Sequence, residues 1–329
     1  MEFWVWLQAL MLSFTDLRIA PMYVVSTIAI AALIYLFTKR SDRQGSFLGW
    51  LFPKSIYFHP SHYTDIKLFI FNQAAKTLGL FGALGLQTAM AVAVLTGLNK
   101  LTGNEVVSGT WTFEQMALVT LVMMVANDFC VYWIHRIHHE WPVLWPFHAV
   151  HHSAEVMTPI TVYRKHPIYD VFGSFFKAFV RGSVLGLVVF CLTDTYSTVE
   201  IAGISAAYFL FNILGANLRH SHIWLGYGKV LSHIFISPAQ HQIHHSIAVK
   251  HHNKNYGEVL AIWDWMFGTL YVPETREQLT YGIGDENGER LEQPHKSLTD
   301  ALLVPFEDSW KAVKERQEAA QQTPRPTEP

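Results

Sequence analysis

One histidine spacing occurs twice in this chain. His148-Ala149-Val150-His151-His152 returns, ninety-three residues later, as His241-Gln242-Ile243-His244-His245. Successive side chains on a helix diverge by about 100°, so the adjacent pairs His151–His152 and His244–His245 each aim two imidazoles differently, as needed if one ring serves one metal and its neighbour another. His135 and His139, four apart at the end of an apolar run, share a helical face and can meet one centre. His138 is close to that face, but only part of the set can point inward. The clusters supply eight ligands before His220 is added, more than the roughly four that zinc takes. Two five- or six-coordinate metals with an open face fit that count better. Iron, zinc, copper and nickel all accept imidazole, and spacing does not separate them. Isolated histidines more often pack or hydrogen-bond; His59, His62, His233 and His295 are read that way, and His251 and His252 as part of a solvated loop.

Half the residues are apolar and 15% are charged, against roughly 25% charged in a soluble domain, so a membrane fold is tested first. Met1 to Met11 lacks basic residues and reads as an interfacial lead-in, not a cleaved signal. Ile19 to Thr38 is uncharged and long enough to cross about 30 Å of hydrocarbon. Lys39, Arg40 and Arg43 follow, which puts that end in the cytosol. Ser46 to Gln73 suggests interfacial helices. Thr77 to Asn99, with small residues between Gly79 and Ala89 for close packing, and Gln115 to Ile134 are the next spans. Asp128 inside the last is a functional suspect, because a carboxylate at that depth needs a partner. Val171 to Leu192, interrupted by Lys177 and Arg181, and Ile201 to Leu218 are two crossings or a hairpin on one face. The expectation is an all-α integral membrane protein with four to five transmembrane helices. Residues 1–114 would form membrane and interfacial helices, 115–272 a histidine-rich catalytic domain, and 273–329 a cytosolic extension with a disordered tail from Gln321. The net charge of -2 gives no sign of a nucleic-acid partner. Cys130 and Cys191 lie in apolar stretches and read as buried hydrophobes.

From Leu118 to Tyr271 the chain resembles the fatty acid hydroxylase and sterol desaturase superfamily, nearest to its sterol desaturase branch. The resemblance rests on Asn127-Asp128, Trp133-Ile134-His135-Arg136, Trp145-Pro146-Phe147-His148 running on to Glu155, and Arg164-Lys165-His166-Pro167. It continues through Arg219-His220-Ser221-His222, Ser237 to Ser246, Asn255-Tyr256-Gly257 and Trp263 to Thr269.

That resemblance implies a transmembrane bundle under a cytosolic helical cap that holds a di-iron centre. The ligands carry over onto His135, His139, His148, His151, His152, His220, His241, His244 and His245. His222 is a further candidate, and His166 is placed beside the ligands. Asp128, on the face of His135, suits the task of fixing a ligating imidazole; Glu155 and Asp264 are comparable candidates, and Asn255 belongs to a signature that shapes the cap. The implied activity is O₂-dependent hydroxylation or desaturation of a membrane lipid, sterol-like, fatty-acyl or related, that reaches the site through an apolar slot between the spans. There is no Gly-rich dinucleotide fingerprint and no Cys-rich iron–sulfur pattern, so electrons must come from a separate reductase with a cytochrome or ferredoxin. The expected location is the bacterial inner membrane, or the endoplasmic reticulum in a eukaryote. Two rivals are a metal-binding or metal-transport membrane protein and a zinc-dependent membrane hydrolase. The first would string its ligands through the spans, and the second lacks a His-Glu-x-x-His element.

Overall fold

The computed structural model describes residues 17–38, 45–79, 85–103, 112–192 and 211–322. Outside them lie the N-terminal lead-in, the basic group Lys39, Arg40 and Arg43, part of the Gly79–Ala89 stretch, residues 193–210 of the expected hairpin and the tail 323–329. The fold is all-α with a few isolated bridges. Helices α1 (Pro21–Phe37), α2 (Phe47–Leu51), α3 (Lys54–Tyr57), α4 (Pro60–Thr77) and α5 (Leu86–Thr102) precede the long α6 (Phe113–Glu140). Then come α7 (Trp145–His152), the long α8 (Pro167–Leu192), α9 (Gly228–Leu231), α10 (Pro238–His244), α11 (Ile262–Met266) and α12 (Leu298–Gln322). Short 3₁₀ turns at Pro159–Tyr163, Ala216–His220 and Val249–His251 join the later pieces.

The expected four to five crossings are corrected by this arrangement: among the described residues two helices, α6 and α8, are long and apolar enough to cross a membrane. Helices α1 and α5 have 17 residues each; at 1.5 Å per residue they reach about 26 Å, short of a typical core of about 30 Å. The run from Thr77 to Asn99 is broken, since α4 ends at Thr77 and α5 starts at Leu86. The other expected span ends in the tight turn Ala216–His220. Lys177 and Arg181 do not interrupt α8, and Arg181 Nη1 donates to Asn127 Oδ1 at 3.2 Å. Outward apolar residues such as Leu121, Phe175, Phe179 and Leu187 are exposed, as on a lipid-facing surface and unlike the core helix of a soluble protein. The chain is an integral membrane protein with apolar helices.

Local sequence explains the long elements. Thr112 and Gln115 form a reciprocal capping box that starts α6, and Pro lies at the first position of α1, where its missing N–H costs nothing. The tightest helix pair is α5 with α8. A Cβ added to Gly182 would lie 2.6 Å from Gln87 O, and one added to Gly186 would lie 2.6 Å from Ala91 O. Small residues four apart allow this approach, and a backbone carbonyl cannot step aside. The double substitution Gly182→Ala/Gly186→Ala is expected to destabilise the detergent-solubilised protein by about 1–3 kcal/mol. A thermal-unfolding series that includes Gly97→Ala, where an added Cβ meets nothing within 4 Å, as the control measures it.

The histidine-bearing shell is fastened by a buried ion pair. Arg164 Nη1 and Asp65 Oδ1 are 2.8 Å apart with both side chains fully buried, and Arg164 also donates to Val150 O, Ser61 O, Ser153 Oγ and His295 O. Helix α12 covers α7, where Leu68, Val150 and Ala301 form a small core. His295 is buried beside Arg164 and its pKa is lowered to about 3, by burial first and then by the Arg164 charge. An unfolded histidine titrates near 6.5, so below that pH the unfolded chain binds the extra proton and stability falls. The loss is up to about 1.4 kcal/mol per pH unit until the folded pKa is reached. His295→Leu is expected to flatten the decline of the melting temperature between pH 6.5 and pH 4; an equally steep decline in the variant would refute this role.

Candidate metal centre

Four elements deliver the clustered imidazoles. The last turns of α6 carry His135 and His139, α7 carries His148, His151 and His152, the Ala216–His220 turn supplies His220, and α10 with its cap supplies His241, His244 and His245. They form two groups, His135, His139, His148, His152 and His244 in one, and His151, His220, His241 and His245 in the other; within each, one nitrogen per ring lies within 4.8 Å of the rest. Both adjacent pairs divide between the groups: His152 and His244 face the five-histidine side, His151 and His245 the four-histidine side. The groups touch, with the rings of His152 and His245 stacked at 4.4 Å.

Tautomers are set by backbone carbonyls. His135 Nδ1 lies 2.7 Å from Tyr256 O, His244 Nδ1 2.7 Å from Lys254 O, and His151 Nδ1 3.2 Å from Arg164 O. An imidazole that donates from Nδ1 presents a lone pair at Nε2. In the five-histidine group the Nε2 atoms of His135, His139, His148, His152 and His244 are all buried without a hydrogen-bond partner. In the other, His220 Nε2 faces His151 Nε2 at 3.2 Å and His241 Nε2 at 3.0 Å, and His245 Nε2 faces His241 Nε2 at 3.2 Å. Converging lone pairs in a buried space suit a shared cation. The pKa values of His148, His151, His152, His220, His241 and His245 are lowered well below 6.5, through burial and then through neighbouring positive charge. His244 falls to about 4, again through burial. Neutral rings are the form that ligates metal. The residues present therefore fit a pair of metal ions.

The other candidates have different surroundings. Asp128 does not touch an imidazole: its oxygens accept from Val259 N, Leu260 N and Trp263 Nε1, holding a backbone turn over α6. The same helical face that suggested His135 as its partner carries this segment instead. Asp264 accepts from Tyr256 N, Gly257 N and Thr269 Oγ1 and so positions His135 through the Tyr256 carbonyl. Asn255 bonds to Gln240 O and to both backbone groups of Tyr271. Glu155 pairs with Arg290 on the surface. His166 uses both nitrogens, Nε2 with Leu302 O and Nδ1 accepting from Ile168 N, which leaves none for a metal. His222 is outside both groups and bonds to Trp50 O. His138 turns back to Ile134 O and packs on Tyr169 and Phe172. His59, His62, His233 and His252 hydrogen-bond locally or pack, whereas His251 is buried against Glu277 and not solvated as expected.

Sequence reasoning missed the frame around the rings. Asn253 and Asn255 both have left-handed backbone, with φ of 57° and 58°. They flank Lys254, and this rare conformation for a residue other than glycine turns its carbonyl onto His244 Nδ1. Asn255-Tyr256-Gly257 was legible as a motif, but its role of presenting carbonyls was not. Trp145 packs on His139 and His152, and Tyr169 stacks on His148 at 4.9 Å. A cavity of about 320 Å³ reaches the five-histidine group through His139, His152 and His244, and Ser246, Ile247, His252, Asn253 and residues 282–286 also line it.

A family model for fatty acid hydroxylases matches residues 120–269, the stretch that supplies all nine clustered histidines. By that segment, a little under half of its length, the chain is similar to the fatty acid hydroxylase and sterol desaturase superfamily. Its histidine groups are consistent with the di-iron centre typical of the superfamily. Alkylglycerol monooxygenase of Xenopus tropicalis is 29% identical over 190 residues, which is 55% of this chain and 38% of that protein. Ornithine lipid hydroxylase OlsE of Rhizobium tropici is 30% identical over 220 residues, 65% of this chain and 61% of its own. Delta(7)-sterol 5(6)-desaturase erg3C of Aspergillus fumigatus is 26% identical over 193 residues, 54% and 59% respectively. The chain spans less than two thirds of each of these relatives. No solved structure matches it.

Proposed function

We propose that this protein is an O₂-dependent di-iron enzyme that hydroxylates or desaturates a membrane lipid. The observation that carries the reading is the division of nine imidazoles, all but His139 buried, into two touching groups with converging Nε2 atoms. Relatives whose names refer to alkylglycerol, ornithine lipid and sterol support a lipid substrate, and they favour no narrower class.

His135, His139, His148, His152 and His244 would hold one iron, and His151, His220, His241 and His245 the other. When bound, the metal pair supplies the redox chemistry and O₂ activation that side chains cannot. The chain's own residues set the stage for it. Tyr256, Lys254 and Arg164 carbonyls keep three rings in the tautomer that leaves Nε2 free. Asp264 and Asp128 anchor the 256–260 segment against α6, so the rings of α6 and α10 keep their separation. Trp145 and Tyr169 wall the rings with apolar surface, which limits water near the reacting carbon. Electrons would come from a separate donor protein. The histidine shell would face the cytosol, a reading supported by Lys39, Arg40 and Arg43 directly after α1.

Mass spectrometry of membrane lipids from cells with and without the gene tests the reading. The expected result is a lipid that, only in its presence, gains an oxygen atom or loses a pair of hydrogen atoms. Identical lipid profiles, together with O₂-independent ester cleavage by a zinc-loaded preparation, would replace it with a hydrolase.

A further inference from the structure

Beside the four-histidine group lies a set of cations with too few acids. Arg219, adjacent in sequence to His220, is 2% exposed. Its guanidinium donates to the backbone carbonyl of Glu258 and lies 4.3 Å from the Phe211 ring centroid. Among the described residues no carboxylate comes within ion-pair distance of it. The Glu258 side chain is instead paired with Arg18. Lys165 follows Arg164, whose carbonyl receives His151, and its ammonium lies 5.6 Å from the Tyr169 ring, likewise with no acid in ion-pair reach among the described residues. Lys177 approaches from α8. Burial acts to raise the Glu258 pKa, yet the carboxyl is held below its usual value because Arg18, Arg219, Lys165 and Lys177 surround it. Two other acids act on these cations, Asp128, whose oxygens are engaged by Val259, Leu260 and Trp263, and Asp170 at the start of α8.

A buried guanidinium without a carboxylate is costly. Lysines that only cover an apolar surface end in water, whereas Arg219 is enclosed. Arginine and lysine together match a phosphate or carboxylate, which arginine can take with two parallel hydrogen bonds. The position also suits a lipid, because Arg18 precedes the apolar helix α1 and Lys165 the apolar helix α8. Arg18 and Lys165 thus sit where apolar helices begin, the level at which headgroups meet the protein, and Lys177 stands about 15 Å further along α8, from where its long side chain can reach toward that level.

We propose that Arg18, Lys165, Lys177 and Arg219 bind the oxyanion of an acidic lipid headgroup, and that the lipid oxidised by this enzyme is acidic and is attacked near its polar end. The second clause rests on the lipid-oxidising function proposed above. The regiochemistry follows from adjacency: Arg219 neighbours His220, and Lys165 follows the residue that fixes His151.

The test uses the full chain purified in neutral detergent, offered equal amounts of dioleoyl phosphatidic acid, oleic acid and dioleoylglycerol, with retained lipid counted by native mass spectrometry. The expected result is about tenfold or greater retention of the acidic lipids over the neutral one. Lys165→Met/Lys177→Met is expected to reduce that preference to within about twofold, and Lys165→Arg/Lys177→Arg to keep it. Equal retention of neutral lipid, or an unchanged preference in the methionine variant, overturns the proposal. Inorganic phosphate, titrated alone, is expected to bind at least about tenfold more weakly than phosphatidic acid; equal affinity would assign the site to free phosphate and overturn the lipid reading. Iron content and reductant-dependent O₂ uptake are measured on the same preparations. Loss of both with lipid preference intact would remove the oxygenase reading and leave the headgroup site standing.

Discussion

His151→Ala and His244→Ala are each expected to lower bound iron from about two ions per chain to about one or fewer, and to cut turnover by at least about 100-fold. The two variants strike different halves of the centre. His244 belongs to the five-histidine group, where four rings remain without it, and His151 to the four-histidine group, where three remain. His151→Ala also frees the Arg164 carbonyl, and His244→Ala frees that of Lys254. Metal analysis of purified protein reads the effect without needing the substrate. His222→Ala serves as the control: its ring is held by the Trp50 carbonyl outside both groups, so iron content should stay at the wild-type level. Full iron and full turnover in either ligand variant would dismantle the site.

Arg164→Met is expected to destabilise the fold by about 3–5 kcal/mol, because it leaves the Asp65 carboxylate buried and unpaired. Desolvation already raises the Asp65 pKa, and Arg164 is the largest influence opposing that rise. The loss extends to four further acceptors that the guanidinium serves, Val150 O, Ser61 O, Ser153 Oγ and His295 O. Asp65→Leu combined with Arg164→Met removes both charges and should recover part of the stability, which a buried pair replaced by apolar groups commonly does. Denaturant midpoints of the wild type, the single variant and the double variant check this order. A single variant as stable as the wild type would mean that the pair contributes nothing.

Much of the histidine arrangement was legible in sequence, for a local reason. Adjacent histidines on one turn must diverge, and a repeated spacing ties two distant helices to one pair of centres; His151, His152, His244 and His245 behave in this way. Asp128 stands out in the sequence as an acid inside an apolar run and is expected to hold an imidazole, but its partners are the backbone groups at 259 and 260 and the Trp263 indole, which no periodicity on α6 can announce. The number of crossings was overestimated because apolar composition does not report where a helix stops. Thr77 and Ala216 lie within apolar runs that the structure divides into a helix end and a 3₁₀ turn. Gly182 and Gly186 carry a small-residue spacing that is readable in the sequence, but the helix it packs against, α5, is not.

Helix α12 has implications for biosynthesis. It lies across α7 and joins the core formed by Leu68 and Val150, while His295, just before it, offers its carbonyl to Arg164. A nascent chain that has already exposed every imidazole through His245 still lacks the piece that clamps α7. The cover over α7 is therefore complete only when α12, which begins at Leu298, has itself been made.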